Sequence, residues 1–355
     1  MLSRVANSLY WMSRYIERAD NTARLVDVNL QLLLDIRRLD DGMLIGHWMP
    51  IVQSTGDEAL FRELHPDANA QSVTEFLVFQ PENPNSIVSS ITDARENARM
   101  VRDQLPAELW EELNRLYLFL HSSRARSLWR GSPHDFFLEI KNSSLLLNGL
   151  ASATVVRNEG WNFMQAGCFL ERADKTSRIL DVRHSSVPER GAPSAANQDD
   201  ALGWSAVLRS CSAWDAYKAR HGAEVQPALV AEFLLLNDDF PRSVRFCVRT
   251  LDRALRRISG VAGDRFSNDA EKLAGRLLAE LSFSSTDDVF AVGFHRYIDQ
   301  LQAKINAIGD ALFNAYIYQP FHTSEDYQLR QQEEQQQQHR AAPGACASFL
   351  LARSA

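Results

Sequence analysis

The chain has 355 residues, of which 45% are hydrophobic and 23% charged, enough for two ordinary domains or one large one with a sizeable core. A net charge of −7 excludes broad, sequence-independent nucleic-acid binding, which needs a basic face. The four cysteines, Cys168, Cys211, Cys247 and Cys346, form no Cys-x-x-Cys pair and no His cluster accompanies them, so neither a zinc site nor a disulfide framework is expected and a reducing cytoplasm is the simplest compartment.

Taken in chain order, the first segment carries Val5, Leu9, Met12, Ile16, Ala19, Ala23, Val26, Leu30 and Leu33 at spacings of three and four. That is one continuous apolar stripe on a long helix. Pro84 and Pro241 follow Asn83 and the run Asp238-Asp239-Phe240, and proline suits a first helical position after an Asn or Asp cap. Long helices are expected over 86–104 and 243–258. Others are expected at about 108–128, 134–156, 266–282 and 288–317. No stretch alternates with β-branched enrichment, so little or no sheet is expected. No uncharged run reaches the roughly 18 apolar residues of a membrane span. The stretch 185–194 reads as a loop. After Pro320 the Gln-rich composition reads as a low-complexity tail over 323–355.

The chain also resembles itself. Residues 15–28 laid over 169–182 match at eight of fourteen positions, among them Glu17/Glu171, Arg18/Arg172, Asp20/Asp174, Arg24/Arg178 and Asp27/Asp181. Further blocks follow in the same order. Trp48 lies over Trp204, Glu75-Phe76-Leu77 over Glu232-Phe233-Leu234, Pro84-x-Ser86 over Pro241-x-Ser243, and Phe136 over Phe294. The expectation is an all-α protein of roughly ten helices in two tandem, pseudo-twofold-related repeats, 1–158 and 159–322.

At about 100° per residue, Glu17, Asp20, Arg24 and Asp27 form a strip along one border of the apolar stripe, with Arg18 and Thr22 on the other. Glu171, Asp174, Arg178 and Arg172 repeat the pattern. Charges that flank a buried face, instead of opposing it, belong to the join between helices. They suit either of two roles. One is a structural clamp of carboxylate–guanidinium pairs. The other is a polar pocket in which the arginines hold an anion and Glu17 or Glu171 serves as acid or base. A second candidate is the arginine stripe Arg95, Arg99 and Arg102, with Arg242, Arg245 and Arg249 in the later copy. A carboxylate-bridged metal centre is not expected, because Glu17 and Glu171 are followed at three residues by Asp and not His, and no motif calls for a cofactor. Cys168 reads as a small core residue.

The features Tyr10-Trp11-x-x-Arg14-Tyr15-Ile16-Glu17-Arg18-Ala19-Asp20, Ala94-Arg95-Glu96-Asn97-Ala98-Arg99, Phe169-Leu170-Glu171-Arg172-Ala173-Asp174 and Phe240-Pro241-Arg242-Ser243 together resemble the bacterial alpha-E domain family over about 1–320. The resemblance implies work beside an ATP-grasp-type ligase and a transglutaminase-like protein, in making or modifying peptides. It brings no catalytic residues. The chain is then expected to be an accessory protein with an Arg/Glu-lined groove for a peptide or anionic small molecule. The alternatives are an enzyme of peptide or amide chemistry or a pure scaffold.

Overall fold

The computed structural model describes residues 1–36, 48–181, 198–262 and 265–318; the 185–194 loop and the 323–355 tail lie outside them. The described residues are helical and contain no strand. The helices are α1 (Ser3–Ile36), α2 (Met49–Thr55), α3 (Glu58–Leu64), α4 (Ala70–Val78), α5 (Ile87–Met100), α6 (Ala107–Leu120), α7 (Ser123–Gly131) and α8 (Pro133–Thr154), then α9 (Glu159–Asp181), α10 (Gln198–Ser210), α11 (Trp214–His221), α12 (Pro227–Leu236), α13 (Val244–Ser259), α14 (Asp269–Phe283), α15 (Thr286–Ala291) and α16 (Phe294–Leu312). A π-helical turn, Phe313–Ile317, follows α16.

Sixteen α-helices among the described residues correct the expected ten. The excess has local causes. The stretch expected as one helix over 108–128 breaks at His121-Ser122, where the Ser122 hydroxyl caps Ala125 N–H and starts α7. The one expected over 288–317 breaks at Gly293, whose φ of 89° opens α16. Pro84 and Pro241 do not occupy first helical positions. They sit in turns before Ser86 and Ser243, whose side chains accept from Ser89 N–H and Phe246 N–H. Asn83 and Asn237 build those turns by accepting from the backbone N–H groups of Asn85 and of Asp239 and Phe240.

Helices α1 and α9 pack together at the centre, with α5 on α1 and α13 on α9. Met1 meets Glu159, Tyr10 lies against Gly167, and Arg18 meets Glu171, so the two helices run in the same direction. The contact is close. A Cβ on Gly167 would stand 2.2 Å from the Tyr10 carbonyl oxygen. The stripe read from the sequence is interior, with Leu9, Met12, Ile16, Ala19, Ala23 and Val26 all buried. None of the described helices is long and apolar enough to cross a membrane.

Candidate functional site

The two Glu-Arg pairs meet where α1 crosses α9, and each bonds the other. Arg18 Nε and Nη2 donate to the Glu171 carboxylate at 2.7 and 3.2 Å. Arg172 Nε and Nη2 donate to the Glu17 carboxylate at 2.8 and 2.7 Å. Both are bidentate guanidinium–carboxylate pairs, the geometry that fixes orientation as well as distance. The aromatic residue three positions before each arginine lies over its guanidinium, with Tyr15 5.3 Å from Arg18 and Phe169 4.8 Å from Arg172.

Each glutamate takes a second cation. Arg14 Nε donates to Glu171 at 2.7 Å and itself lies 4.8 Å from the Trp11 ring. Arg242, from the turn before α13, donates to Glu17 at 3.1 Å, to Asp20 at 2.6 Å and to Asn21 Oδ1 at 3.0 Å. Asp20 and Asp174 each accept from the arginine one turn on, Arg24 at 2.9 Å and Arg178 at 2.8 Å. Glu17 and Glu171 are 1% and 0% exposed, so solvent does not compete for these bonds.

Burial alone would push both glutamates' pKa values up. Around Glu17 the Arg172 and Arg242 charges and the hydrogen bonds from Arg172 and Asn21 outweigh it and hold the carboxyl at about 2. Around Glu171, Arg18, Arg14 and Lys175 do the same and hold it well below the usual carboxylate range. Carboxyls depressed in this way stabilise the fold fully above their unfolded pKa of about 4.3, and that stability is lost as pH falls through the folded value, about 2 for Glu17. The melting temperature is expected to hold down to about pH 5 and to drop between about pH 4 and pH 2. In Glu17→Gln the acid-side drop should be shallower, and thermal scans across pH on both proteins check it.

The remaining sequence candidates lie apart from this network. Arg95 donates to Asn114 and Glu96 and lies 4.5 Å from the Tyr117 ring, and Arg99 pairs with Glu96 on the surface. Arg102 is beyond the end of α5, in a 3-10 turn, so the expected three-arginine face stops at Arg99. Arg245 and Arg249 share Asp238. No hydrogen bond or ion pair among the described residues joins Arg95, Arg99 or Arg245 to Glu17 or Glu171. Arg242 does join Glu17, through a side chain that reaches from the turn before α13 back to α1.

Two features were not legible in the sequence. His295 stands between Asp181, 2.7 Å from Nδ1, and Asp299, 3.4 Å from Nε2. These three form the one cluster of potential metal ligands among the described residues. Each imidazole nitrogen already faces its own carboxylate, and the histidine pKa is raised, first by the Asp181 hydrogen bond, as expected of an imidazolium ion pair. The other is the Asp27 carboxylate, which takes Lys141 at 2.6 Å and His134 at 3.0 Å. Both pairings tie the end of a Glu-Arg helix to a later helix remote in sequence.

Cys168 is buried beside Glu17, and burial pushes its thiol well above the ordinary range, which leaves it a packing residue without thiolate character. A cavity of about 30 Å³ between Met12, Ile16, Leu109, Leu147, Met164 and Cys168 has room for about two waters, far short of the several hundred Å³ of a substrate pocket.

No solved structure matches this chain. Among curated proteins, it is 27% identical over 324 residues to uncharacterised proteins of Mycobacterium bovis and of Mycobacterium tuberculosis strain CDC 1551, and 26% identical to one of strain H37Rv. In each case the match covers 86% of this chain and 35% of the relative, so the chain spans about a third of the length of the curated relatives it matches. The family model that matches residues 1–317 describes an alpha-helical domain with a conserved ER motif, and Glu17-Arg18 and Glu171-Arg172 are two of the three Glu-Arg dipeptides in the matched range, Glu189-Arg190 being the third. The chain belongs to the Alpha-E family.

Proposed function

We propose that this protein is a helical binding component of a peptide-forming or peptide-modifying system, working beside an ATP-grasp-type ligase, and that its Glu-Arg centre is the clamp on which the binding surface is built, not acid–base machinery. One observation carries the second half of that reading. Glu17 and Glu171 are buried, and each is occupied by two arginines that reach it from other elements, Arg172 and Arg242 for Glu17 and the α1 pair Arg14 and Arg18 for Glu171. A general acid or base must exchange a proton near neutral pH and touch its substrate; a buried carboxylate held ionised and enclosed by two guanidiniums suits neither task. The partnership with the ligase, and with a transglutaminase-like protein, rests on the family resemblance. It is supported by the length of the relatives, in which the matched stretch is about a third of a longer chain, as suits a module that acts beside other domains.

We further propose that the clamp arose by duplication of a unit of about 155 residues, 1–158 and 159–322. The reciprocal Arg18–Glu171 and Arg172–Glu17 bonds, and the matched serine caps Ser86 and Ser243, support it.

The test is reconstitution with an ATP-grasp-type ligase from the same genome. Ligated product should rise when the full chain is added, the two should co-purify, and Glu17→Gln or Glu171→Gln should keep that stimulation at temperatures where the variants stay folded. Absence of both complex and stimulation would remove the accessory role. Loss of stimulation in a folded Gln variant would restore the acid–base alternative.

A further inference from the structure

The two Glu-Arg motifs are built alike but finished differently, and the difference leaves one of them open. Three matched positions change together. Asn21 in the first motif is Lys175 in the second. Arg242, in the turn that faces Glu17, has Asn85 as its counterpart. Ser212, in the turn after α10, corresponds to Gly56 after α2. Ser212 and Gly56 both adopt left-handed backbone, with φ of 51° and 84°, so the two turns keep one shape while only the first carries a side chain.

In the first motif these residues close the site. Arg242 bridges Glu17, Asp20 and Asn21, and Arg24 Nη1 donates to Ser212 Oγ at 2.7 Å. In the second motif the outer donors make no matching hydrogen bonds. Lys175 Nζ stands 3.9 Å from Glu171 and 3.8 Å from Asp174, too far for hydrogen bonds, with its side chain only 12% exposed. Arg178 bonds Asp174 through Nε alone; Gly56 offers its terminal nitrogens nothing. Asn85 is turned away, donating to Asp57 and accepting from Arg18. The Lys175 ammonium and the outer edge of the Arg178 guanidinium make no hydrogen bond among the described residues and are not sealed from solvent, so their donors are available to an acceptor that enters from outside.

We infer that the second motif holds a binding site for a small oxyanion, a carboxylate or phosphate group, seated on Lys175 Nζ and the free edge of Arg178, in the place that Arg242 and Ser212 close in the first motif. Asp174 and its counterpart Asp20 each keep one buried oxygen without a donor, but only the second motif adds Asp57, which keeps another; that oxygen favours a ligand that also carries a hydrogen-bond donor, as a protonated phosphate or an amino acid does. The inference rests on the reading of the protein as a binding component and of its motifs as duplicates, and it gives that component its ligand class.

The test uses the full chain, with thermal unfolding and isothermal titration in sodium phosphate and in glycine, at ionic strength matched with sodium chloride. Phosphate or glycine should raise the melting temperature by several degrees and bind at one site per chain, and which of them does so distinguishes the two sources. Lys175→Met should weaken binding about tenfold or more, as expected for loss of a charged hydrogen bond. The triple variant Gly56→Ser, Asn85→Arg, Lys175→Asn, which copies the first motif, should fold and bind neither. If the triple variant does not fold, Lys175→Met alone decides. No response beyond chloride, or an equal response in Lys175→Met, overturns the site. Neither outcome touches the ligase reconstitution, so the two readings fail separately.

Discussion

Glu171→Ala is expected to lower folding stability by about 3–5 kcal/mol, the usual cost of stripping one partner from a buried ion pair. The substitution leaves Arg14, Arg18 and Lys175 facing one another across a site that is nearly dry. The loss is mostly the cost of unpaired buried charge, not the net worth of the pair. The sign of the remedy follows. Adding Arg18→Ala to Glu171→Ala removes one of the stranded cations, so the double variant should be more stable than additivity of the two single changes allows. Denaturant unfolding of the parent, both single variants and the double variant measures that coupling. Simple additivity would mean that the bond seen between α1 and α9 carries no energy.

Gly167→Ala should be nearly as damaging for a different reason. Its new Cβ would sit 2.2 Å from the Tyr10 carbonyl oxygen and 3.0 Å from the carbonyl carbon. Both are backbone atoms of α1 and cannot turn aside as a side chain would. The helices must separate, which costs about 1–3 kcal/mol or more and lengthens every guanidinium–carboxylate bond of the clamp. Unfolding midpoints report the loss. A stability equal to the parent's would show that α1 and α9 are not held at this separation.

The contrast between these two positions explains how much was legible in the sequence. The strip of charge along the apolar stripe was legible, because helical period alone puts Glu17, Asp20 and Arg24 at the border of the buried face. It did not say which carboxylate meets which arginine. The expectation was of pairs that tie neighbouring helices, and the pairing is set by α1 and α9 lying side by side with the two motifs level, so that Arg18 crosses to Glu171 and Arg172 to Glu17. Arg242 was legible as a candidate from its spacing with Arg245 and Arg249, whereas its reach to Glu17 and Asp20 depends on how α13 docks on α9. Gly167 carried no signal at all, since close approach of two backbones is a property of the pair of helices. The short helices α2, α3, α4 and α11 were missed because seven to nine residues are too few to show a period.

Carboxyl carbon shifts of Glu17 and Glu171, followed by NMR in glutamate-labelled protein from about pH 8 to about pH 4, test the central claim most directly. A clamp of ionised carboxylates predicts that neither signal moves while exposed glutamates titrate around their ordinary value of about 4.3. A midpoint for either residue between about pH 5 and 8 would be the signature of a working acid or base and would contradict the clamp.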